Sequence, residues 1–365
     1  MAQPSPLPLI GATRDEVRAL MASLGQPAYR ADQLLRWVYA AGATSIEAMT
    51  DMPKALRATL AEWTRLYTTS VADARQSSDG TRKLLVALRI AGNPPADGER
   101  IETVIIPEGR RATVCVSTQV GCAVGCAFCA SGLGGLVRDL SAGEIVEQVL
   151  HARRCIEPPA GLTHVVVMGI GEPLANYDAL AAALRLLTAP WALALSPRRI
   201  TVSTVGLPDR IRRLAEEGLG VNLAVSLHAA DDVTRRRLIP GARPIREVVA
   251  AARDYLRMTG REVTLEYVLV KGVNDSLEDA RGLAEVVGRE RILVNLLPLN
   301  PVAGLLLEES PPGRAERFAA ELKSKGVRVQ RRRRRGADIE GACGQLRHRA
   351  AEGAGPRDGS RGQED

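Results

Sequence analysis

From residue 112 to about residue 330, short apolar runs rich in β-branched residues alternate with longer segments whose apolar positions recur at a helical period. The apolar runs predict strands near 112–117, 164–168, 199–203, 221–227, 262–270, 291–296 and 327–331. The helical segments lie near 141–154, 177–188, 208–217, 246–258, 276–288 and 312–325. This alternation predicts an α/β fold with a parallel sheet, and about six βα units indicate a partial (β/α)6 barrel rather than a closed eight-stranded one.

The first part of the chain has a different pattern, which predicts three helices within residues 13–68. Thr13 can cap the first helix, residues 29–39 have apolar positions at helical spacing, and the third helix, at about 53–65, opens with Pro53. Four basic residues decorate this predicted bundle, namely Arg30, Arg36, Lys54 and Arg57. We therefore expect either a packed cap or an accessory domain that docks RNA.

Between the bundle and the alternating region, three runs predict strands at 83–89, 101–106 and 112–117, with a hairpin connection at 92–98. The final residues lack apolar content and predict a disordered tail. We expect four parts, namely a helical accessory domain at 1–68, a short β-rich connector at 69–107, a core with a C-terminal cysteine loop at 108–345, and a tail at 346–365.

The composition, with 45% apolar and 25% charged residues among 365, is typical of a soluble globular protein. The sequence has neither a secretion signal nor a stretch as long as a membrane span, so we expect a cytoplasmic protein with no membrane partner. The net charge is +7, with arginine runs at 331–335 and 235–237. Such runs are either a solvated surface or a site for RNA phosphates, and with 3% aromatic residues extensive base stacking is not expected.

Three cysteines are spaced Cys-x3-Cys-x2-Cys at Cys122, Cys126 and Cys129. Three thiolates this close can hold three corners of a 4Fe-4S cluster and leave the fourth iron open to bind a small molecule. The alternative is a structural zinc site, which needs a fourth ligand. The nearest candidates for that ligand are Cys115, His151 and Cys155, and none has the usual spacing. The spacing therefore favours the cluster, and disulfides are not expected in a reducing compartment.

Loops with glycine or small polar residues follow several predicted strands, where ligands sit in folds of this kind. Gly169 and Gly171 allow close approach to a ligand, and Glu172 can accept a hydrogen bond from an ammonium group, although a simple tight turn is the alternative. Further polar side chains at strand ends are Ser203, Ser226, His228 and Asn300. These suit a ribose, a carboxylate or an adenine, and the alternative for His228 is a core position.

Cys343 is remote from the other cysteines and lies between small residues, downstream of the longer arginine run. A lone cysteine is commonly buried and inert. Small neighbours and nearby cations instead favour an accessible thiolate. The residues alone leave both interpretations open.

Many motifs, in order, resemble the radical S-adenosylmethionine (SAM) methyltransferases that modify C2 of adenosine in ribosomal and transfer RNA. The resemblance extends from about Tyr29 to Leu346. It rests on Tyr29-Arg-Ala-Asp-Gln, Ile101-Glu-Thr-Val-Ile-Ile-Pro, Cys115-Val-Ser-Thr-Gln-Val-Gly-Cys122, Gly171-Glu-Pro-Leu-Ala-Asn-Tyr, Ser226-Leu-His-Ala and Ala342-Cys-Gly-Gln-Leu. The chain departs from the family pattern at Ser131, at Gly341 and in its arginine-rich run, which concerns the RNA target rather than the chemistry.

The resemblance implies a role for each matching residue. The cluster ligands would be Cys122, Cys126 and Cys129, and the SAM site would comprise Gly171, Glu172, Ser203, Ser226, Leu227, His228 and Asn300. Cys343 would carry the methyl group, Cys115 would be its partner, and Glu102 would be the proton acceptor. The resemblance also implies two SAM molecules per turnover, a reducing electron donor such as flavodoxin or ferredoxin, and a monomer that acts on 23S rRNA and tRNA.

The implied reaction moves a methyl group from one SAM to the Cys343 thiolate. A 5′-deoxyadenosyl radical from the second SAM then removes a hydrogen from that methyl group, and the resulting carbon radical adds to C2. Loss of the C2 proton and attack of Cys115 on the Cys343 sulfur would then release the methylated RNA and leave a transient disulfide. The alternatives are a C8 methyltransferase of the antibiotic-resistance type, a divergent paralogue with another target, and a zinc-stabilised RNA-binding protein.

Overall fold

The computed structural model describes residues 6–88 and 99–346. The predicted connection at 92–98 and residues 347–365 of the predicted tail lie outside these ranges. The strands are β1 Leu7–Pro8, β2 Thr64–Arg65, β3 Thr69–Gln76, β4 Arg82–Leu88, β5 Arg100–Glu108, β6 Arg111–Cys115, β7 Gln119–Gly121, β8 Leu136–Asp139, β9 Gly161–Val167, β10 Ile200–Thr204, β11 Asn222–Ser226, β12 Val263–Leu269, β13 Leu293–Pro298 and β14 Arg328–Arg331.

The α-helices of the described ranges match the helical periods of the sequence closely. They are α1 Arg14–Ser23, α2 Tyr29–Leu35, α3 Lys54–Trp63, α4 Ala142–Arg154, α5 Tyr177–Thr188, α6 Pro208–Glu216, α7 Asp232–Leu238, α8 Ile245–Thr259, α9 Leu277–Val287 and α10 Pro312–Ser324. A π-helical turn, Arg36–Ala40, continues α2. Side-chain caps explain several starts, because Thr13, Ser141 and Ser276 each form a reciprocal capping box with the acidic residue three positions on.

Ten strands form one sheet in the order β14-β13-β12-β11-β10-β9-β6-β5-β4-β3. Seven neighbouring strands of this sheet, β6, β9, β10, β11, β12, β13 and β14, are parallel, and the seven helices α4 to α10 lie in the six connections between them. The strands β3, β4 and β5 continue the sheet in antiparallel pairing. Because β3 and β14 are opposite edges of the sheet, the barrel is open, as the sequence predicted.

The N-terminal helices share one apolar core with the sheet and α4. Leu9 and Ile10 are buried, and the backbone of Gly11 meets that of Gly143 at the start of α4. A Cβ atom on Gly143 would lie 2.4 Å from the Ile10 carbonyl oxygen, so only glycine permits this approach. The N-terminal segment is therefore docked on the helix that follows the cysteine loop.

Six short or polar elements were not predicted, namely β1, β2, β3, β7, β8 and α7. The strand β3 is mostly exposed and lacks an apolar alternation, β1 and β2 have two residues each, and α7 has only seven. The pair β7 and β8 flanks the cysteine loop. Among the described residues, no helix combines the length and the apolar content that crossing a membrane requires.

Candidate active site

Cys122, Cys126 and Cys129 lie on one loop, which leaves the sheet after β6 and is closed at its base by β7 and β8. The Cys122 amide donates to the Gly135 carbonyl at 2.9 Å, and the Cys129 amide donates to the Cys126 carbonyl at 3.0 Å. Gly121 has a φ of 76°, and a Cβ there would lie 1.9 Å from the Gly135 carbonyl oxygen. The loop conformation that gathers the cysteines therefore requires glycine at its base.

The three thiols are partly exposed, and their negative forms would repel one another. Burial raises the pKa of Cys122 and of Cys126, and the nearby Cys129 raises both further. Within residues 6–88 and 99–346, no three Cys, His, Asp or Glu side chains are grouped to hold a single metal ion. A cubane cluster binds each thiolate through a different iron and offsets their repulsion, so this donor set fits such a cluster.

His151 and Cys155, two of the candidates for a fourth zinc ligand, lie at the far end of α4 from the cysteine loop. His151 is nine residues from the first residue of α4, or about 14 Å along the helix. Its ring bonds to the Thr69 hydroxyl at 2.8 Å and to Arg154. Cys155 packs against the apolar core, as expected for a helix-packing residue. Neither residue can complete a site with the cysteine loop.

The arginine runs are not uniform charged surfaces. Arg235 is fully buried, and its guanidinium donates to carbonyl oxygens at the ends of β10 and β11, those of Val205, Ser226 and Leu227. The expectation that Arg235 belongs to an exposed basic patch is therefore wrong, although Arg236 and Arg237 are exposed. In the longer run, Arg331, Arg334 and Arg335 pair with Glu316, Glu309 and Asp79 respectively.

Glu172 lies in the loop after β9, and its carboxylate links this loop to the end of β10. Its carboxylate accepts hydrogen bonds from the Leu174 amide at 3.0 Å and the Val205 amide at 2.8 Å. Burial raises the pKa of Glu172, and these amides oppose that shift. Gly171 has a φ of 107° and approaches Gln119 so closely that a Cβ would lie 2.6 Å from it. The glycine thus brings this loop against the strand before the cysteines.

Ser203, Ser226, Leu227 and His228 follow at the ends of β10 and β11. The two serines are half-buried, whereas Leu227 and His228 are buried. Nδ1 of His228 accepts a hydrogen bond from the Val268 amide at 3.0 Å, and burial lowers the pKa of His228 to about 3. The His228 ring is neutral and meets the edge of Phe128 in the cysteine loop, with 4.7 Å between ring centroids. One ring nitrogen is thus committed to the fold.

Asn300 joins the loop after β13 to the C-terminal loop. Its Nδ2 donates to the Cys343 carbonyl at 2.8 Å, while its buried Oδ1 has no hydrogen-bond partner among the described residues. A buried amide oxygen without a donor is costly, and a donor group of a bound ligand would satisfy it. Asn300 therefore fits a cofactor site.

The C-terminal loop, residues 336–346, is held by hydrogen bonds to the cluster loop and to the loop after β13. Gly344 accepts from the Ala130 amide at 2.7 Å, and Leu346 accepts from the Ser131 hydroxyl at 2.6 Å, which ties the loop to the cluster loop. Gln345 donates to the Pro301 carbonyl at 2.9 Å. Cys343 is thereby brought close to the cluster loop and to the end of β13.

Cys115 and Cys343 are 228 positions apart in sequence, yet Cys343 contributes to the raised pKa of Cys115. Cys115 is buried at the end of β6, where burial and the nearby Cys343 raise its pKa to about 12. Cys343 retains contact with solvent, while the surrounding protein and then Glu266 raise the pKa of its thiol. Of these two thiols, the one on the C-terminal loop is therefore the more accessible. All six cysteines are free thiols, so the disulfide that the resemblance implies is absent from this structure.

Glu102 lies on β5 and forms a buried ion pair with Lys83 on β4, with 2.9 Å between Nζ and the carboxylate. Lys83 also donates to the Glu340 carbonyl at 3.0 Å, three residues before Cys343. Lys83 therefore links the antiparallel strands β3 to β5 to the C-terminal loop. This ion pair keeps the Glu102 carboxylate beside the predicted site.

Sequence reasoning missed two buried polar residues inside the barrel, Glu266 on β12 and Asn295 on β13. The Asn295 Nδ2 and the Thr264 hydroxyl both donate to Oε1 of Glu266 at 2.8 Å. Burial raises the pKa of Glu266. The signal was present, because a glutamate and an asparagine interrupt strands that are otherwise almost wholly apolar.

Two family models match separate parts of the chain. Residues 116–284 match the model described as "Radical SAM superfamily", and residues 7–66 match "Ribosomal RNA large subunit methyltransferase N-terminal domain". The first range contains the cysteine loop and most of the parallel strands. The second contains α1, α2 and α3.

Similar proteins and a similar structure cover nearly the whole chain. A probable dual-specificity RNA methyltransferase RlmN of Rhodopirellula baltica is 44% identical over 94% of this chain and 91% of its own. The dual-specificity RNA methyltransferase RlmN of Anaeromyxobacter dehalogenans is 46% identical over 94% and 92% respectively. The crystal structure of a radical SAM methyltransferase from Sphaerobacter thermophilus has a TM-score of 0.89 and 45% identity, covering 93% of this chain and 99% of its own.

Proposed function

Since the chain belongs to the RlmN family of radical SAM RNA methyltransferases, we propose that it methylates C2 of an adenosine in 23S rRNA and in tRNA, with Cys343 as the methyl carrier. The cofactors are a 4Fe-4S cluster and SAM. When bound, they supply the methyl group and the radical that activates it. The cluster ligands in this proposal are Cys122, Cys126 and Cys129.

The SAM site in this proposal comprises Gly171, Glu172, Ser203, Ser226, Leu227, His228 and Asn300. Glu172 supplies a buried carboxylate for an ammonium group, and the unpartnered Oδ1 of Asn300 supplies an acceptor beside the methyl carrier. His228 supports the cluster loop through Phe128 rather than through a charge, because burial keeps its ring neutral. These residues would hold SAM at the ends of the parallel strands, close to the cluster loop and the C-terminal loop.

The two thiols have different tasks. Cys343 reaches solvent and accepts the methyl group, while Cys115, at the end of β6, later attacks the Cys343 sulfur to release the product. Cys115 is protonated at rest, because burial raises its pKa to about 12, and must lose its proton for that step. Glu102 is the proposed acceptor of the C2 proton, and its carboxylate pairs with the Lys83 ammonium at 2.9 Å.

We further propose that the N-terminal helices form an RNA-docking domain at 1–68, followed by a connector at 69–107 and the catalytic core at 108–345. We propose that the protein acts in the cytoplasm, where these RNA substrates occur. We also propose that it acts as a monomer and receives electrons from a donor such as flavodoxin or ferredoxin.

The observation that carries the proposal is the docking of the C-terminal loop on the cluster loop through Ala130 and Ser131, which brings Cys343 from the far end of the core to the cluster loop. The test is to purify the protein without oxygen, supply SAM, a reductant and either 23S rRNA fragments or tRNA, and analyse the nucleosides by mass spectrometry. We expect 2-methyladenosine from wild type and none from Cys343→Ala. Formation of 8-methyladenosine alone, or of 2-methyladenosine by Cys343→Ala, would contradict the proposal.

A further inference from the structure

We propose that the outer face of helix α7, formed by Val233, Arg236 and Arg237, is the docking site of an acidic electron-transfer protein that reduces the cluster. This inference rests on the proposed function, because that function needs both a cluster and an electron donor. In the step itself the donor loses one electron and the cluster gains it, and no bond forms or breaks. Arg236 and Arg237 are the exposed members of the shorter arginine run, which has no role in the site described above.

Helix α7 packs directly against the cluster loop. The Ala127 amide, next to Cys126, donates to the Leu238 carbonyl at the end of α7 at 2.9 Å. Leu238 is buried and shares a small apolar cluster with Cys126 and Phe128. A protein seated on the outer face of α7 is therefore separated from Cys126 by one helix, about 10 Å across. Because electron transfer slows steeply with distance, this face suits a donor to the cluster.

The outer face of α7 carries positive charge without an acidic counterpart. Arg236 and Arg237 are exposed, and neither forms an ion pair within the described ranges. Asp231 and Asp232, at the start of the helix, accept hydrogen bonds from backbone amides instead. Two adjacent guanidinium groups of this kind favour a partner that brings carboxylates. We therefore expect the donor to have an acidic surface around its redox group.

Exposed apolar side chains accompany these arginines. Val233 lies on the same face, because positions three and four residues apart are neighbours on a helix, and its side chain is 73% exposed. The cluster loop and its base strand β8 also expose Leu133, Leu136 and Val137. Apolar side chains beside arginine are typical of a surface that binds protein, whereas RNA phosphates would gain little from them. The composition of this region therefore favours a protein over RNA.

A second exposed arginine pair has the position expected for RNA. Arg332 and Arg333 are exposed and form no ion pair in the described part of the chain, although their neighbours in the longer run do. They lie between β14 and the C-terminal loop that carries Cys343. The target base must reach Cys343, whereas the electron must reach the cluster. The pair that leads into the C-terminal loop thus suits RNA, and the pair on α7 suits the donor.

The test uses the cluster-loaded protein, purified without oxygen, and follows cluster reduction by electron paramagnetic resonance of rapidly frozen samples. The variant is Arg236→Glu with Arg237→Glu, and the reductants are reduced flavodoxin, an acidic flavoprotein, and dithionite, a small ion that needs no docking surface. We expect the second-order rate constant with flavodoxin at low salt to fall by about tenfold or more, and that with dithionite to stay within about twofold. Salt should slow the reaction of wild type with flavodoxin but not that of the variant.

Two matched arginine pairs serve as controls. Arg289→Glu with Arg291→Glu reverses the same charge just before β13, at the opposite end of the sheet from the cluster loop, and should keep the wild-type rate constants. Arg332→Glu with Arg333→Glu should weaken RNA binding and leave reduction by flavodoxin unchanged. The dissociation constant of oxidised flavodoxin, measured by calorimetry, should rise only in the α7 variant.

A milder variant, Arg236→Gln with Arg237→Gln, covers a failure of the charge-reversed protein to fold, and its rate constant with flavodoxin should fall by about threefold or more. An unchanged rate constant with flavodoxin in the folded variants would overturn the inference. So would an equal loss with both reductants, which would place the effect in the cluster, or a loss of RNA binding alone, because α7 would then serve RNA. If flavodoxin reduces wild type as expected but no methylated nucleoside forms, the proposed function fails while the docking site stands.

Discussion

Two buried polar clusters in this protein differ in how fully they are satisfied. At the junction of the N-terminal helices and the core, the Glu147 carboxylate accepts hydrogen bonds from the amides and hydroxyls of both Thr68 and Thr69. On β13 and in the loop after it, by contrast, Asn295 and Asn300 each keep a buried oxygen without a partner in the described part of the chain. A satisfied cluster stabilises the architecture, whereas an unsatisfied one has capacity for a ligand. Substitutions in the Glu147 cluster should therefore lower the free energy of unfolding, and substitutions in the cluster of Asn295 and Asn300 should lower the methylation activity.

The largest expected effect is that of Cys343→Ser, beside the unsatisfied cluster. We expect RNA methylation to fall by about 1000-fold or more, because serine cannot replace the thiol as methyl carrier. The free energy of unfolding should change by less than about 0.5 kcal/mol, because the residue is exposed. Turnover assays and denaturant titrations measure the two quantities. Cys155→Ser is the matched control and should remain active. Substantial RNA methylation by Cys343→Ser would contradict the assignment of the unsatisfied cluster to catalysis.

Glu147→Ala should show the reverse behaviour. It leaves the donors of Thr68 and Thr69 unpaired in a buried site, and we expect a loss of about 3–5 kcal/mol in the free energy of unfolding. At a temperature where the variant is still folded, kcat should stay within a few-fold of wild type. Glu157→Ala, which breaks a largely exposed ion pair with Arg82, is the control and should cost less than about 1 kcal/mol. A kcat loss as large as that of Cys343→Ser would contradict the assignment.

Acid should also weaken the satisfied cluster. Burial lowers the pKa of His151 to about 4, below its ordinary value of 6.5, so the unfolded chain binds the proton more tightly. Stability should therefore decrease as the pH falls from 6.5 toward 4, by up to about 3 kcal/mol. The raised pKa of the neighbouring Glu147 opposes this trend at the acidic end. The difference in unfolding free energy between wild type and His151→Asn isolates the histidine, and a difference independent of pH would refute this account.

The smallest expected effect is on the stability of Asn295→Ala. The change removes a hydrogen bond to Glu266 but also removes the buried oxygen that lacks a donor, and these contributions oppose each other. We expect the unfolding free energy of the ligand-free protein to change by no more than about 1 kcal/mol. Calorimetry without SAM or RNA measures it. A decrease of more than about 3 kcal/mol in the free energy of unfolding would show that Asn295 stabilises the fold, as Glu147 does.

The sequence predicted the alternating core well because the relevant signals are local. The helix predicted at 177–188 is α5, Tyr177–Thr188, and the strand predicted at 199–203 is β10, Ile200–Thr204. Apolar period and capping depend on neighbours within a few residues. By contrast, β3 is exposed along most of its length and follows no apolar alternation, so only its pairing with β4 makes it a strand.

The site was predictable where chemistry imposes a spacing and unpredictable where it depends on long-range packing. The cysteine loop and Cys343 follow from motifs. The burial of Arg235, and the pairing of Glu266 with Asn295 from another strand, follow from the three-dimensional arrangement of β10 to β13. An arginine run in a sequence carries no information about which of its members is enclosed.

Two hydrogen bonds join the cluster loop to the C-terminal loop, from Ala130 to Gly344 and from Ser131 to Leu346. They imply an order for two events in the maturation of the protein, the insertion of the cluster and the docking of the C-terminal loop. During synthesis, the cysteine loop is made more than 200 residues before the segment that covers it. Until the end of the chain is released, that loop lacks its cover and stays open to the cellular machinery that inserts iron and sulfide. We therefore expect cluster insertion to be easiest before the C-terminal segment docks.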